Sequence, residues 1–190
     1  MRIAQTIVIV RHAEKPPSVG APFGVDETGE IDRDNLTVRG WQRAGALCQL
    51  LTAGRREFSI ERPVALFAAA TSPDSPSVRC WSTLKPLAEA LELPIDDSFG
   101  KGSEAELARE LDRHAGTVVI AWEHRMLPAL ARAIVGGPSP GVPRSWPDER
   151  FDVTWVIATD LSGMIRFEQH PQMLLGGDLP DPISHGSSCA

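Results

Sequence analysis

Four side chains of two types stand out for the chemistry they could do together: Arg11 and His12, adjacent near the start of the chain, Arg79 further on, and His124 late. An imidazole is a competent nucleophile near neutrality, because an unperturbed pKa of about 6.5 leaves much of it uncharged. A guanidinium keeps its charge and forks onto phosphoryl oxygens. Arg11-His12 therefore reads as a nucleophile beside an oxyanion clamp, provided the chain puts the pair somewhere useful. Ile7, Val8, Ile9 and Val10 form an unbroken β-branched run, the pattern of a strand buried on both faces. In open α/β sheets ligands bind beyond the carboxyl ends of the strands, which is where Arg11 and His12 fall.

The other two residues are placed the same way. A second apolar run, 63–70, leads into Thr71-Ser72-Pro73-Asp74-Ser75-Pro76-Ser77-Val78-Arg79. Ser75-Pro76 reads as an N-cap with a first-turn proline, with Ser72-Pro73 competing for the cap about three residues earlier, so Arg79 is expected in the opening turn of a helix reaching about Leu91, where free N–H groups and the helix dipole already favour an anion. A third run, 117–121, passes through Trp122 and Glu123 to His124, and a helix carrying Leu130, Ala131 and Ile134 follows, stopped at Gly136.

Between these runs lies a loop, 13–35, rich in Pro, Gly and acidic residues, too long to be a simple connection. Thr37 is a plausible cap for a helix whose apolar stripe is Trp41, Ala44, Leu47, Cys48 and Leu51, ending near Gly54. Residues 93–103 read as a short strand and loop, and Gly100-Lys101-Gly102 lacks P-loop spacing. Ser103 and Glu106 form a capping-box pattern for a helix from Glu104 to about His114, whose imidazole is expected to be structural. Residues 151–158 and 164–168, joined by a turn at 160–163, read as a hairpin adding an antiparallel edge. The expectation is an α/β fold with a mostly parallel sheet, in one domain over 1–180 and a flexible tail over 181–190.

Composition narrows the partners. A chain of 190 residues with 42% apolar and 23% charged residues has the material for one ordinary globular core. A net charge of −6 argues against general affinity for nucleic acid or anionic membranes, so any bound anion needs a local basic cluster. Cys48, Cys80 and Cys189 are odd in number and lack metal-type spacing, which suits free thiols in a reducing, cytoplasmic setting. No signal peptide or membrane span is read from the sequence.

Arg11-His12-Ala13-Glu14-Lys15 resembles the Arg-His-Gly signature of the histidine phosphatase superfamily, the phosphoglycerate mutase-like proteins, with Ala13 where Gly is commoner. Leu36-Thr37-x-x-Gly40 follows in the superfamily's order, and Ser75-Pro76-Ser77-Val78-Arg79 with Thr83 fits its Ser-Pro-x-x-Arg stretch, Ser82 standing for the usual Gln. His124 matches the second, late His of the family. Residues 171–178 also resemble a C-terminal stretch of some bacterial members, with no mechanism attached. The resemblance covers about 6–178 and implies a three-layer α/β/α sandwich with His12 as nucleophile.

On that basis a phosphomonoester would be hydrolysed through a phosphohistidine on His12, with Arg11, Arg79 and His124 binding the phosphoryl oxygens and no metal or other cofactor required. The expected partner is a small phosphorylated substrate. A carboxyl group must protonate the leaving oxygen; Glu123 is favoured by proximity, with Asp97, Glu104 and Glu14 as alternatives. Loop 13–35 is the natural specificity element, and its acidic residues Asp26, Glu27, Glu30, Asp32 and Asp34 argue against a polyanionic substrate, and so against a phosphomutase. The rival readings are a non-catalytic phospho-ligand module of the same fold and a metallohydrolase built on His12, Glu14, Glu123 and His124.

Overall fold

The computed structural model describes residues 4–53, 60–73, 75–137, 139 and 141–184. Its elements run β1 (Gln5–Arg11), α1 (Val38–Thr52), β2 (Pro63–Ala68), α2 (Arg79–Leu91), β3 (Ile95–Asp96), α3 (Glu104–Leu111), β4 (Gly116–Trp122), α4 (Leu127–Val135), β5 (Val153–Thr159) and β6 (Ile165–Pro171). The strands form one sheet in the order β3-β2-β4-β1-β5-β6. β1 to β4 are mutually parallel, while β5 runs antiparallel to β1 and β6 antiparallel to β5. This is the mostly parallel sheet with an antiparallel C-terminal edge that the alternation of runs implies.

The layers follow from handedness. Right-handed crossovers put α1 and α2 on one face while the chain moves outward through β2 to β3, and put α3 on the other face once it returns to β4. Accordingly α1 packs on α2 and α3 on α4, giving helix, sheet, helix. β1 and β4 are neighbours whose onward connections leave in opposite directions. A crevice opens between their carboxyl ends, the switch point at which such sheets bind ligands.

The core lies where the apolar runs cross this switch. Val8, Ile9 and Val10 of β1 and Val118 to Ala121 of β4 are wholly buried, and Arg11 pairs in register with Trp122. Thr37 caps α1, its hydroxyl accepting from the Gly40 N–H at 3.1 Å. The α1 stripe also holds a buried charge, Arg43, and Trp41 is only half-buried, with its indole N–H bonded to the Val25 carbonyl.

Three helix ends differ from expectation. Ser75 exchanges two backbone hydrogen bonds with Ser72, both at 2.9 Å, in an isolated bridge, and α2 opens four residues later, on Arg79 itself, with Val78 at its N-cap and no side-chain cap bond. Ser103 makes no side-chain cap bond, the neighbouring Glu104 carboxylate takes the Gly102 N–H, and Glu106 pairs outward with Arg109 rather than back to the cap. α3 stops at Leu111, leaving His114 beyond its end with its ring edge-on to Phe67. The packed chain also runs past 180: Arg150 donates to the Asp181 carbonyl, and buried Ile183 exchanges hydrogen bonds with Gln169. Cys48 and Cys80 are buried free thiols, and burial pushes Cys80 up to about 12; Cys189 lies outside the described residues. No helix among the described residues is long and apolar enough to cross a membrane.

Candidate active site

The crevice between β1 and β4 holds both histidines. The His12 N–H donates to the Trp122 carbonyl at 3.2 Å, extending the parallel pairing one step beyond the strands. That step delivers His12 and His124 to the same hollow, with ring centroids 6.4 Å apart and the rings edge to face. Phe151 closes one side, its ring 6.0 Å from that of His12.

His12 is buried, and its Nδ1 lies 2.8 Å from the Ala13 carbonyl oxygen. A carbonyl only accepts, so Nδ1 carries the proton and the lone pair sits on Nε2. Burial first, then the positive charge of Arg11, pushes the ring's pKa down to about 3. The imidazole is therefore neutral in the physiological range and holds the tautomer a nucleophile needs.

Arg11 is fully buried at the end of β1. Its Nη1 donates to the carbonyls of Pro147, Asp148 and Arg150, and the guanidinium lies 3.8 Å over the Phe151 ring. Its Nε and Nη2 are buried with no hydrogen-bond partner. Burial lowers its pKa to about 10, against the attraction of Asp148, Glu123, Glu14 and Glu149, so the charge survives. Two unsatisfied donors on a buried cation are costly, and an anion in the crevice is the group that would relieve them.

Arg79, the first residue of α2, turns its guanidinium toward loop 13–35, with Nε donating to the Asn35 carbonyl at 3.1 Å and Nη2 to the Arg33 carbonyl at 2.7 Å. Its third nitrogen has no partner among the described residues. The charge lies near enough to His12 to depress that ring's basicity further. Thr83 ties the two together: its hydroxyl accepts from the Ala13 N–H at 2.8 Å and donates to the Arg79 carbonyl at 2.7 Å.

His124 is buried between two carboxylates. Its Nε2 meets Asp148 Oδ1 at 2.5 Å, and Glu123 Oε1 lies 3.0 Å from Nδ1, off the line a hydrogen bond needs. The hydrogen bond from His124 holds the Asp148 carboxyl below its ordinary range, and the same imidazole outweighs burial in lowering Glu123. Asp148 is missing from the sequence reading, since it sits in an irregular loop with no periodicity. The available signal was topological, because the segment ahead of β5 must pass the carboxyl end of β1.

The remaining carboxylates are placed elsewhere. Glu104 is buried against the Trp122 indole N–H and the Gly102 amide. Asp97 is exposed in the loop after β3. Glu14 points away from His12 into a clamp: Arg43 Nε meets both its oxygens at 3.0 Å, while Arg43 Nη1 and Nη2 reach Gln172 and Asp178. This gives residues 172–178 a structural task, securing the loop that follows the nucleophile. Backbone atoms secure it too: the Thr37 N–H donates to the Glu14 carbonyl, and a Cβ on Gly40 would stand 2.5 Å from that oxygen. Leu36-Thr37-x-x-Gly40 is thus a seat for Glu14.

Only part of the acidic character of loop 13–35 faces the site, through Asp34 and, more weakly, Asp32. Asp26 and Asp32 bind their own turns, Glu27 pairs with Lys85, and Asp34 lies near Arg79. Lys15, next to this hollow, has its pKa lowered by burial first and then by the charges of Arg11 and Arg79, against the attraction of Asp148. A basic cluster therefore exists that the loop's net sign conceals. Among the described residues, no group of three or more His, Cys, Asp and Glu side chains is arranged to hold a metal ion. Glu14, engaged by Arg43, is not part of the cluster around His12 and His124.

No family model and no curated protein matches the chain. Among solved structures it is similar to Bacillus stearothermophilus YhfR, at 18% identity and a TM-score of 0.48 over 96% of this chain and 99% of that one. It is also similar to the ecdysone phosphate phosphatase of Bombix mori in complex with tungstate, at 12% identity and a TM-score of 0.49 over 98% and 96%.

Proposed function

We propose that the chain is a histidine phosphatase that hydrolyses phosphomonoesters through a phosphohistidine on His12. The observation that carries this reading is the pairing of a buried neutral imidazole, its lone pair on Nε2, with an adjacent buried guanidinium whose Nε and Nη2 have no partner. In the first step Nε2 attacks phosphorus and the P–O bond to the alcohol breaks. Arg11 and Arg79 bind peripheral oxygens, where preorganised donors contribute most, and His124 joins them by releasing Nε2 from Asp148 to the phosphoryl group as Asp148 turns to the leaving oxygen.

Glu123 acts by holding His124, and the proton for the leaving oxygen comes from Asp148. Its side chain, 74% exposed, lies at the mouth of the crevice on the His124 Nε2. A phosphomonoester monoanion brings one proton with it, since the second ionisation falls near pH ~6. Passed to Asp148 and on to the alkoxide, that proton balances the first step. In the second, water attacks the phosphohistidine while Asp148 takes its proton, releasing phosphate and restoring His12. Buried thiols at Cys48 and Cys80 support the reducing, cytoplasmic setting.

The test is a rapid quench of the protein with a labelled monoester. Label should be recovered as an acid-labile, base-stable adduct on His12 and be absent from His12→Ala. Steady hydrolysis by His12→Ala at the native rate would remove His12 as the nucleophile, and phosphate binding without turnover by the native protein would leave a binding module.

A further inference from the structure

Next to Arg79 lies a cavity of about 610 Å³ formed by loop 13–35. Its apolar walls are Pro16, Pro17, Phe23 and Ile31, with the last two large side chains 55% and 72% exposed. Its charged lining is Lys15, Arg33, Arg79 and Asp34. A further cavity, of about 420 Å³, opens at the opposite end of β1 around Gln5, Ile7 and His114, away from the histidines.

The charge balance of the first cavity is unusual for this chain. Asp34 attracts Arg79, and Asp32 spends its oxygens on the Asp34 N–H and the Asn35 amide. Lys15 has no hydrogen bond or ion pair among the described residues, and the Arg33 side chain has none either. The wall thus carries two solvent-exposed cations with no close carboxylate partner, although Asp148 attracts Lys15 at longer range, in a protein of net charge −6. One phosphoryl dianion is already matched by Arg11 and Arg79. Like charges gathered on one wall repel, solvent and salt screen part of that repulsion, and a ligand anion seated between them would be attracted by both.

Resting on the proposed phosphatase reading, we infer that this cavity is the leaving-group subsite, and that it selects phosphomonoesters whose alcohol has an apolar, ring-sized body bearing a second anionic group. The phosphoryl group would sit on His12, Arg11 and Arg79, the body against Phe23, Ile31 and the two prolines, and the second anion between Lys15 and Arg33. The cavity lies within the usual size range of small-molecule sites. Its shape is held by the loop's own bonds, Val25 N–H to the Leu36 carbonyl and Asp32 N–H to the Gly24 carbonyl. Gly24 is needed for this closure, because a Cβ there would stand 2.2 Å from the Asp32 oxygen.

The experiment compares phenyl phosphate with 4-carboxyphenyl phosphate, by kcat/KM, and the two corresponding phosphonates by calorimetric Kd. The carboxylated member should be favoured about tenfold in both, equivalent to one net charged contact. The preference should shrink as salt rises, fall to within about twofold in Lys15→Ala/Arg33→Ala, and reverse toward 4-(aminomethyl)phenyl phosphate in Lys15→Glu. Equal handling of the pair by the native protein, or a preference that survives the double variant, overturns the inference. If label is trapped on His12 yet the pair is not distinguished, the subsite fails and the phosphatase stands. If no monoester turns over, the phosphonate affinities still decide the subsite.

Discussion

Asp178→Asn tests whether the buried clamp behind the nucleophile stabilises the fold as its geometry requires. Asp178 receives Arg43 Nη2 at 2.7 Å and Nη1 at 3.1 Å, together with the amides of Leu174 and Leu175. Burial alone would raise its pKa, but these donors outweigh it and bring the carboxyl from 3.8 to about 2. At about 1.4 kcal/mol per tenfold change in proton affinity, the native state gains about 2 kcal/mol from the ionised form. The side chain is only 2% exposed, so solvent screening removes little of that. The folded pKa lies below the unfolded one, so this stability is fully present above the unfolded value and is lost as pH falls through the folded value. About half should be gone at pH ~3. Urea titrations of the native protein and Asp178→Asn at pH ~7 and ~3 measure the difference: about 2 kcal/mol at the higher pH and about 1 kcal/mol at the lower. Taking the difference between the two proteins cancels the other carboxyls. An identical loss at both pH values, or none at the higher, would refute the argument from ionisation.

Other outcomes follow from the same geometry. Nitrogen NMR of the imidazoles should show His12 neutral and protonated on Nδ1 from pH ~8 to ~5, because burial and Arg11 hold its pKa near 3; a midpoint close to 6.5 contradicts this. Asp148→Asn should lower kcat/KM about a hundredfold for an alkyl phosphate yet only a few-fold for 4-nitrophenyl phosphate, whose phenolate leaves unaided. Glu123→Gln, at a carboxylate that meets His124 and the Arg125 amide, should lower both substrates by the same modest factor, and a leaving-group dependence there would exchange the two roles. Gly40→Ala should cost about 1–3 kcal/mol in thermal or urea unfolding, since its Cβ would press 2.5 Å from the Glu14 carbonyl. An unchanged transition would show that the loop yields freely.

The parts legible in the sequence were those written as continuous patterns. The β-branched run before Arg11 and the apolar run before His124 became adjacent parallel strands, which is why two residues more than a hundred positions apart share one crevice. Thr37 was legible as a cap because its task is local. What escaped depended on partners distant in sequence. Arg43 lies on an apolar helix face because Glu14, Gln172 and Asp178 meet it there, and nothing in α1 announces them. Ser75-Pro76 carries a proper cap signal, but Ser75 lies in a bridge with Ser72 and α2 opens on Arg79. The loop's acidic composition concealed a basic wall because composition does not say which way side chains face.

The hydroxyl of Thr83 stands between the backbone behind the nucleophilic ring and the backbone behind the distal guanidinium. Ring and cation must therefore travel as a pair whenever the sheet and α2 shift against each other. The opposite bank, the turn at 147–150, is tied to the same strand end by the three carbonyls that Arg11 grips, so both sides of the hollow take their position from the end of β1.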